Sequence, residues 1–214
     1  MKTIIKNLSI VNISPVLCAF PCVLLITILL PSCTNQSVKN ANSDTEIIEI
    51  IEDYRVDSNT KNNFNKAVKL LNQHKYEEAI VLLNTITKTT KTFTAPYINL
   101  GIAYSKINKL EEAEQNFVKA LKLNPEHPLA KNELATIYRK TGNFSKAKSL
   151  YEEVLNSYSY FHPARKNLGI LCDLYLQDLN CASKQYELYL SANPNDKNMK
   201  IWMADVKNRI KYAR

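Results

Sequence analysis

The feature that most constrains this chain is an internal period of 34 residues. A leucine followed by glycine or alanine occurs at residues 100–101, 134–135 and 168–169, in two successive steps of 34. Three residues past the first two small residues come Tyr104 and Tyr138. Self-similarity at this period predicts short repeated units, each of which buries its apolar face against its neighbours.

Within each unit the pattern predicts two antiparallel helices. Alanine recurs at Ala113 and Ala147, and an aromatic residue follows at Phe117 and Tyr151. Small side chains let paired helices approach closely, and large side chains fill the space that remains. Only three glycines occur in 214 residues, which excludes the glycine-rich loops that bind nucleotide phosphates.

These residues resemble the signature of the tetratricopeptide repeat (TPR), which residues 94–127 match at every main position. The resemblance implies an all-α TPR solenoid of about four helix-turn-helix repeats with a C-terminal capping helix. A fainter copy precedes residue 94, and the last copy slips by one residue, which places an insertion near residues 178–180. The expected repeats are 60–93, 94–127, 128–161 and 162–195.

Two helices are expected to flank the repeats. Isoleucines on one face predict a short helix over residues 46–59 that packs on the first repeat. Residues 196–214 predict a capping helix whose apolar face includes Met199, Trp202 and Met203, with charged residues opposite. Trp202 is therefore expected in the core.

The first 33 residues predict an export signal. Lys2 and Lys6 precede an apolar stretch that ends in Leu30-Pro31-Ser32-Cys33. This ending resembles the bacterial lipobox, although Pro31 departs from it. The resemblance implies removal of residues 1–32 and a lipid anchor (palmitate and diacylglycerol) on Cys33.

A flexible tether is expected over residues 33–45, because they are polar. Thr34, where an aspartate would retain the protein at the inner membrane, favours the outer membrane and a periplasmic location. The alternative is an inner-membrane protein anchored by an uncleaved N-terminal helix, since the apolar segment approaches the length of a membrane span.

Cys172 and Cys181 are expected in the two helices of the last repeat, near their connecting turn. Antiparallel helices bring such positions together, and an exported protein meets an oxidising compartment. We therefore expect a disulfide between them. The alternative is two buried thiols that pack as small apolar side chains.

No pattern of catalytic residues is present. The chain carries a formal charge of +8, with the basic excess in residues 58–214 and six acids in residues 44–57. His74, His127 and His162 are far apart and lack the spacing of a metal site. We expect no enzyme activity, cofactor, metal, small-molecule substrate or nucleic acid, and we interpret most of the scattered lysines as a solvated surface.

The TPR resemblance also implies a peptide-binding groove, formed by the first helix of each repeat. The Lys/Asn clamp of chaperone-binding members is not reproduced, because Phe64 and Val68 occupy its first two positions. An acidic or mixed peptide fits the basic middle of the groove; the alternative is a solvated groove without a fixed ligand. The expected lining residues are Phe64, Val68, Leu71, Ile98, Ile102, Ser105, Lys106, Asn132, Thr136, Arg139, Lys140, Lys166, Ile170 and Leu174.

The sequence thus predicts a membrane-anchored scaffold that binds a protein or peptide partner in a bacterial envelope machine. From Ala95 to Arg209 it resembles TPR lipoproteins associated with TonB-type energy-transduction systems. Two alternatives are a pilotin-like lipoprotein for assembly of a type IV pilus or secretin, and a non-catalytic regulator of a cell-wall enzyme.

Overall fold

A computed structural model describes residues 56–212, and in this range every regular element is helical. Four antiparallel hairpins follow one another, and each helix packs mainly against its neighbours along the chain. The helices are α1 (Ser58–Asn72), α2 (Tyr76–Thr89), α3 (Thr94–Lys106), α4 (Leu110–Leu123), α5 (Pro128–Lys140), α6 (Phe144–Ser157), α7 (His162–Ile170), α8 (Leu179–Ala192) and α9 (Lys197–Tyr212). A π-helical segment (Leu171–Tyr175) continues α7. The predicted all-α TPR-like solenoid is confirmed.

Polar side chains at helix starts explain several of these boundaries. The Asp57 carboxylate accepts a hydrogen bond from the Thr60 amide at 2.9 Å and begins α1. Asp178 accepts from the Cys181 amide at 3.0 Å, and Asp196 accepts from the Met199 amide at 2.9 Å. Such caps satisfy amides that have no partner within the helix.

The small and aromatic residues of the repeat meet as the sequence predicts. A Cβ atom built on Gly101 would lie 2.6 Å from the ring of the buried Phe117, and one on Gly169 would lie 2.5 Å from the ring of Tyr186. Each glycine therefore leaves room for an aromatic ring from the second helix of its own repeat. Close contact between the two helices depends on this fit.

Each hairpin turns through one residue in the left-handed region. These residues are His74, Asn108, Gly142 and Gln177, with φ of 59°, 60°, 81° and 55°. The first three are 34 residues apart, and the fourth follows after 35. The turn itself is therefore unchanged in the last repeat, and the extra residue lies before Gln177.

The hydrogen bonds locate this extra residue in the π-helical segment. In the third repeat the Asn143 amide donates to the Tyr138 carbonyl at 2.8 Å, five residues back. In the fourth the Asp178 amide donates to the Cys172 carbonyl at 2.9 Å, six residues back. The predicted insertion near 178–180 is thus wrong by a few residues, because a π turn accommodates the additional residue inside the first helix.

A disulfide joins Cys172 and Cys181, the pair that the sequence analysis expected to be bonded. Cys172 belongs to the π-helical segment and is fully buried, whereas Cys181 lies in the first turn of α8. The bond therefore links the two helices of the hairpin that holds the extra residue.

Helix α9 packs on α8 through Met199, Met203 and Val206, all of them buried. The expectation that Trp202 lies in the core is wrong, since 41% of this residue is exposed. Its ring lies 6.3 Å from that of Tyr186, at the edge of the α8–α9 contact. The cause is its angular position on the helix, to one side of the buried stripe.

A buried carboxylate ties α9 to the π-helical segment. Asp173 accepts a hydrogen bond from the Tyr186 hydroxyl at 3.1 Å and forms an ion pair with Arg209 of α9. Asp205 also pairs with Arg209, at 2.9 Å. The Asp173 carboxylate is therefore paired inside the protein and does not face a ligand.

Several sequence predictions lie outside the described residues. They are the export signal over 1–32, lipidation of Cys33 and the tether over 33–45. Of the predicted helix over 46–59 only residues 56–59 are described, and Asp57 among them is the N-cap of α1. Within residues 56–212, no helix has both the length and the apolar character needed to cross a membrane.

Candidate protein-binding surface

The first helices of successive repeats touch one another along one side of the stack. Side-chain hydrogen bonds connect them: Lys140 Nζ donates to Ser105 Oγ at 3.3 Å, and Asn167 Nδ2 donates to Asn132 Oδ1 at 3.1 Å. We refer to the exposed side chains of α1, α3, α5, α7 and the π-helical segment on this side as the first-helix surface.

Three cations lie together in the middle of the first-helix surface. Burial lowers the pKa of the Lys140 ammonium; Glu133 opposes this shift, and the charges of Arg139 and Lys106 add to it. Lys106 and Arg139 are thus the cations that act on Lys140, and Glu133 is the carboxylate that does so. A carboxylate from a ligand would relieve the remaining repulsion.

Next to the cations lies an exposed apolar run, Leu174-Tyr175-Leu176. Leu174 is 64% exposed, and the other two are more than a third exposed. The Tyr175 ring packs against Phe144 with a centroid separation of 5.1 Å. The Arg139 guanidinium lies 5.4 Å from the Tyr175 ring centroid, and its Nη1 donates to the Tyr175 hydroxyl at 3.2 Å.

Three of the predicted lining residues are not on the surface. Leu71 is 2% exposed and belongs to the core. Ile98 is 2% exposed and Asn132 is fully buried. Asn132 accepts the hydrogen bond from Asn167 of the next first helix, and Ile98 belongs to the apolar core that continues into the following repeats. These two side chains hold neighbouring repeats together and cannot contact a ligand in this arrangement.

The other predicted residues remain at least partly accessible but differ in their contacts. Phe64 packs against Phe93 with ring centroids 5.1 Å apart. The Thr136 hydroxyl is hydrogen-bonded to the Tyr151 hydroxyl at 2.9 Å. Val68, Ile102 and Ile170 are half-buried apolar side chains.

Lys166 lies apart from the three cations. Its ammonium is 3.9 Å from an Asp196 carboxylate oxygen and 5.6 Å from the centre of the Tyr189 ring. It borders an open cleft of about 590 Å³ between the end of α8 and the start of α9. The sequence placed Lys166 in the same groove as Lys140, but its charge is already partly compensated by Asp196.

The predicted lining residues did not include Tyr175, which is the aromatic side chain of this surface. The extra residue in the last repeat was the sequence feature that could have indicated Tyr175, because a π turn exposes side chains that a regular helix would place elsewhere. The lining residues of the last repeat were assigned by the 34-residue spacing, without the one-residue change of register that the extra residue causes.

The three histidines do not form a site. His127 is buried and caps α5, accepting a hydrogen bond from the Ala130 amide at 3.3 Å. Burial lowers the pKa of His127 to about 4. Among the described residues, no cluster of three His, Cys, Asp or Glu side chains has the geometry to hold a metal ion.

Comparison with protein families supports the repeat assignment. Residues 95–127 and residues 129–159 each match a tetratricopeptide repeat model. The chain therefore carries tetratricopeptide repeats, which generally serve as non-catalytic scaffolds for protein or peptide partners.

Individual relatives share the fold over part of their length. The chain is 28% identical over 131 residues to the anaphase-promoting complex subunit CDC16 of Saccharomyces cerevisiae, covering 58% of this chain and 15% of that protein. The solved structure of PilF from Pseudomonas aeruginosa superposes with a TM-score of 0.66 at 17% identity, covering 72% of this chain and 69% of that one.

A structure with a bound peptide is also similar. The first TPR domain of Spaghetti (RPAP3), solved with the HSP90 peptide SRMEEVD, gives a TM-score of 0.53 at 22% identity. The match covers 55% of this chain and 93% of that one. At these identities the solved structures establish a common fold.

Proposed function

We propose that this protein is a membrane-anchored adaptor whose first-helix surface binds an extended acidic segment of a partner protein. The observation that carries the proposal is the group of Lys106, Arg139 and Lys140, in which Lys140 reaches across to Ser105 of the preceding first helix. Opposite charge on a partner segment gives both steering and selectivity. The similar Spaghetti domain holds a peptide that contains two glutamates and a C-terminal aspartate, which supports an acidic ligand class.

The proposal is tested by site-specific crosslinking in the native cell. A photoreactive amino acid at Ser105, on the first-helix surface, is expected to capture one partner protein. The same amino acid at Lys119, exposed on α4, serves as the matched control and should not capture it. Capture of the same partner from Lys119 but not from Ser105 would place the binding surface on the second helices and contradict the proposal.

We assign the membrane anchor to a lipid on Cys33, with the body of the protein in the periplasm and the outer membrane as its location. This rests on the lipobox-like ending at residues 30–33 and on Thr34. Two or three acyl chains hold a protein stably on a bilayer. The Cys172–Cys181 disulfide is consistent with an oxidising compartment.

Metabolic labelling with palmitate tests the anchor. The wild-type chain is expected to incorporate label, whereas Cys33→Ser should not. Cys22→Ser, within the apolar segment, is the matched control and should keep the label. A labelled Cys33→Ser protein would show that the lipid is attached at another residue.

The machine that we propose for this adaptor is a TonB-type energy-transduction system, on the resemblance over residues 95–209. A deletion strain should then lose siderophore uptake. Loss of twitching motility with normal uptake would instead support the alternative of a factor for pilus assembly.

A further inference from the structure

The π-helical segment changes the character of the first-helix surface in the last repeat. Counted back from the left-handed residue of each turn, Tyr175 occupies the position of Lys106 and Lys140, and Leu174 precedes it. Two exposed cations are thus followed along the stack by an exposed apolar pair. Asp173, which precedes Leu174, is turned inward to Arg209 and Tyr186, so its own carboxylate does not lie beside the leucine.

The residues around Leu174 are held in place before any ligand arrives. Tyr175 is fixed from one side by the Phe144 ring and from the other by Arg139. The Cys172–Cys181 disulfide constrains the segment from the interior. A preordered apolar patch loses little conformational entropy when a ligand binds, and this favours affinity.

We propose that Leu174 and Tyr175 form an apolar subsite that takes one aliphatic side chain of the partner segment, beside the carboxylates held by Lys106 and Lys140. This inference rests on the proposed function and adds a sequence requirement to it. Exposed contiguous apolar side chains next to a charged cluster are typical of a binding surface.

The geometry of the repeats predicts the spacing of the recognised segment. Packed helices are about 8–10 Å apart, and an extended chain covers about 3.3 Å per residue. Consecutive contacts therefore fall about three residues apart. The preferred segment carries two acidic residues three apart and, three residues further on, a leucine or a similar aliphatic residue.

Two synthetic ten-residue peptides test this preference against the full chain, purified from membranes and reconstituted in phosphatidylcholine nanodiscs. The leucine peptide has the pattern Glu-x-x-Asp-x-x-Leu with serine at the variable positions. The serine peptide replaces its leucine by serine and keeps the charge. We expect the leucine peptide to bind about tenfold more tightly, as partial burial of one leucine implies.

The variant Leu174→Ser should remove this difference by weakening the leucine peptide alone, because Lys106 and Lys140 are unchanged. Leu188→Ser, at a leucine of α8 that is 41% exposed, is the matched control and should keep the tenfold preference. Tyr175→Phe retains the ring, loses the hydroxyl contact with Arg139, and should keep most of the preference.

Three results would overturn the inference or its basis in distinguishable ways. Equal binding of the two peptides by the wild-type chain, or a preference that survives Leu174→Ser, removes the apolar subsite and leaves the acidic-segment proposal standing. Failure of both peptides to bind at low ionic strength contradicts the proposed function itself, and with it the subsite.

Discussion

Gly101→Val is expected to lower the free energy of unfolding by about 3 kcal/mol, the upper range for overpacking a core. Even the first added carbon would lie 2.6 Å, 2.7 Å and 2.8 Å from three ring atoms of Phe117. That ring is fully buried and cannot swing into solvent. Valine is more favourable than glycine in a helix interior, which offsets only a few tenths of a kcal/mol of this loss. Urea denaturation followed by circular dichroism measures the change.

The first repeat supplies the matched control for this prediction. There the corresponding pair is Ala67 and Leu83, both fully buried. The double variant Gly101→Ala/Phe117→Leu reproduces that pair, so it should be more stable than the sum of the two single changes predicts. Strict additivity would contradict the direct contact between the two positions.

Acidification from pH 7 to pH 4 should remove about 3 kcal/mol of stability through His127 alone. Burial lowers the pKa of His127 to about 4 in the folded protein, against an ordinary value of 6.5. The unfolded chain therefore binds this proton at a higher pH than the folded chain does. The contribution is complete above pH 6.5 and is lost progressively as the pH falls toward 4.

The variant His127→Asn isolates this effect, since asparagine can accept the same capping hydrogen bond but does not titrate. Its loss of stability between pH 7 and pH 4 should be smaller than that of the wild type by about 3 kcal/mol. The exposed His74→Asn is the control and should follow the wild type. An equal loss in His127→Asn would show that His127 protonates freely in the folded state.

The regular portions of the fold were predictable from the sequence because they depend on local pairs. Gly101 with Phe117, and the turns at His74 and Asn108, repeat at a fixed interval. The residues of each such contact or turn belong to a single hairpin. The disulfide was predictable for the same reason, since Cys172 and Cys181 lie in one hairpin.

The features that the sequence did not predict depend on contacts between repeats or on a change of helical geometry. Ile98 and Asn132 are buried by the following repeat, which a pattern counted within one repeat does not reveal. The extra residue was placed at the turn, where insertions are usual, whereas the chain absorbs it as a π turn at Leu171–Tyr175. The hydrogen bonds that close the turn show which of these two positions holds the extra residue.

The candidate surface was only partly anticipated from the sequence. Arg139, Lys140 and Leu174 were named as lining residues from their repeat positions. Tyr175 was not, because its exposure and its contact with Arg139 follow from the shifted register after Leu171. The single irregularity in the period thus defines the most distinctive part of the surface.

The central claim, that the first-helix surface binds an acidic segment, is tested most directly by charge reversal and peptide affinity. The double variant Lys106→Glu/Lys140→Glu should weaken binding of the Glu-x-x-Asp-x-x-Leu peptide at least tenfold in low salt. The matched variant Lys119→Glu/Lys122→Glu, with the same change of net charge on α4, should bind as the wild type does. Equal weakening in both variants, or none in the first, would contradict a localised site on the first helices.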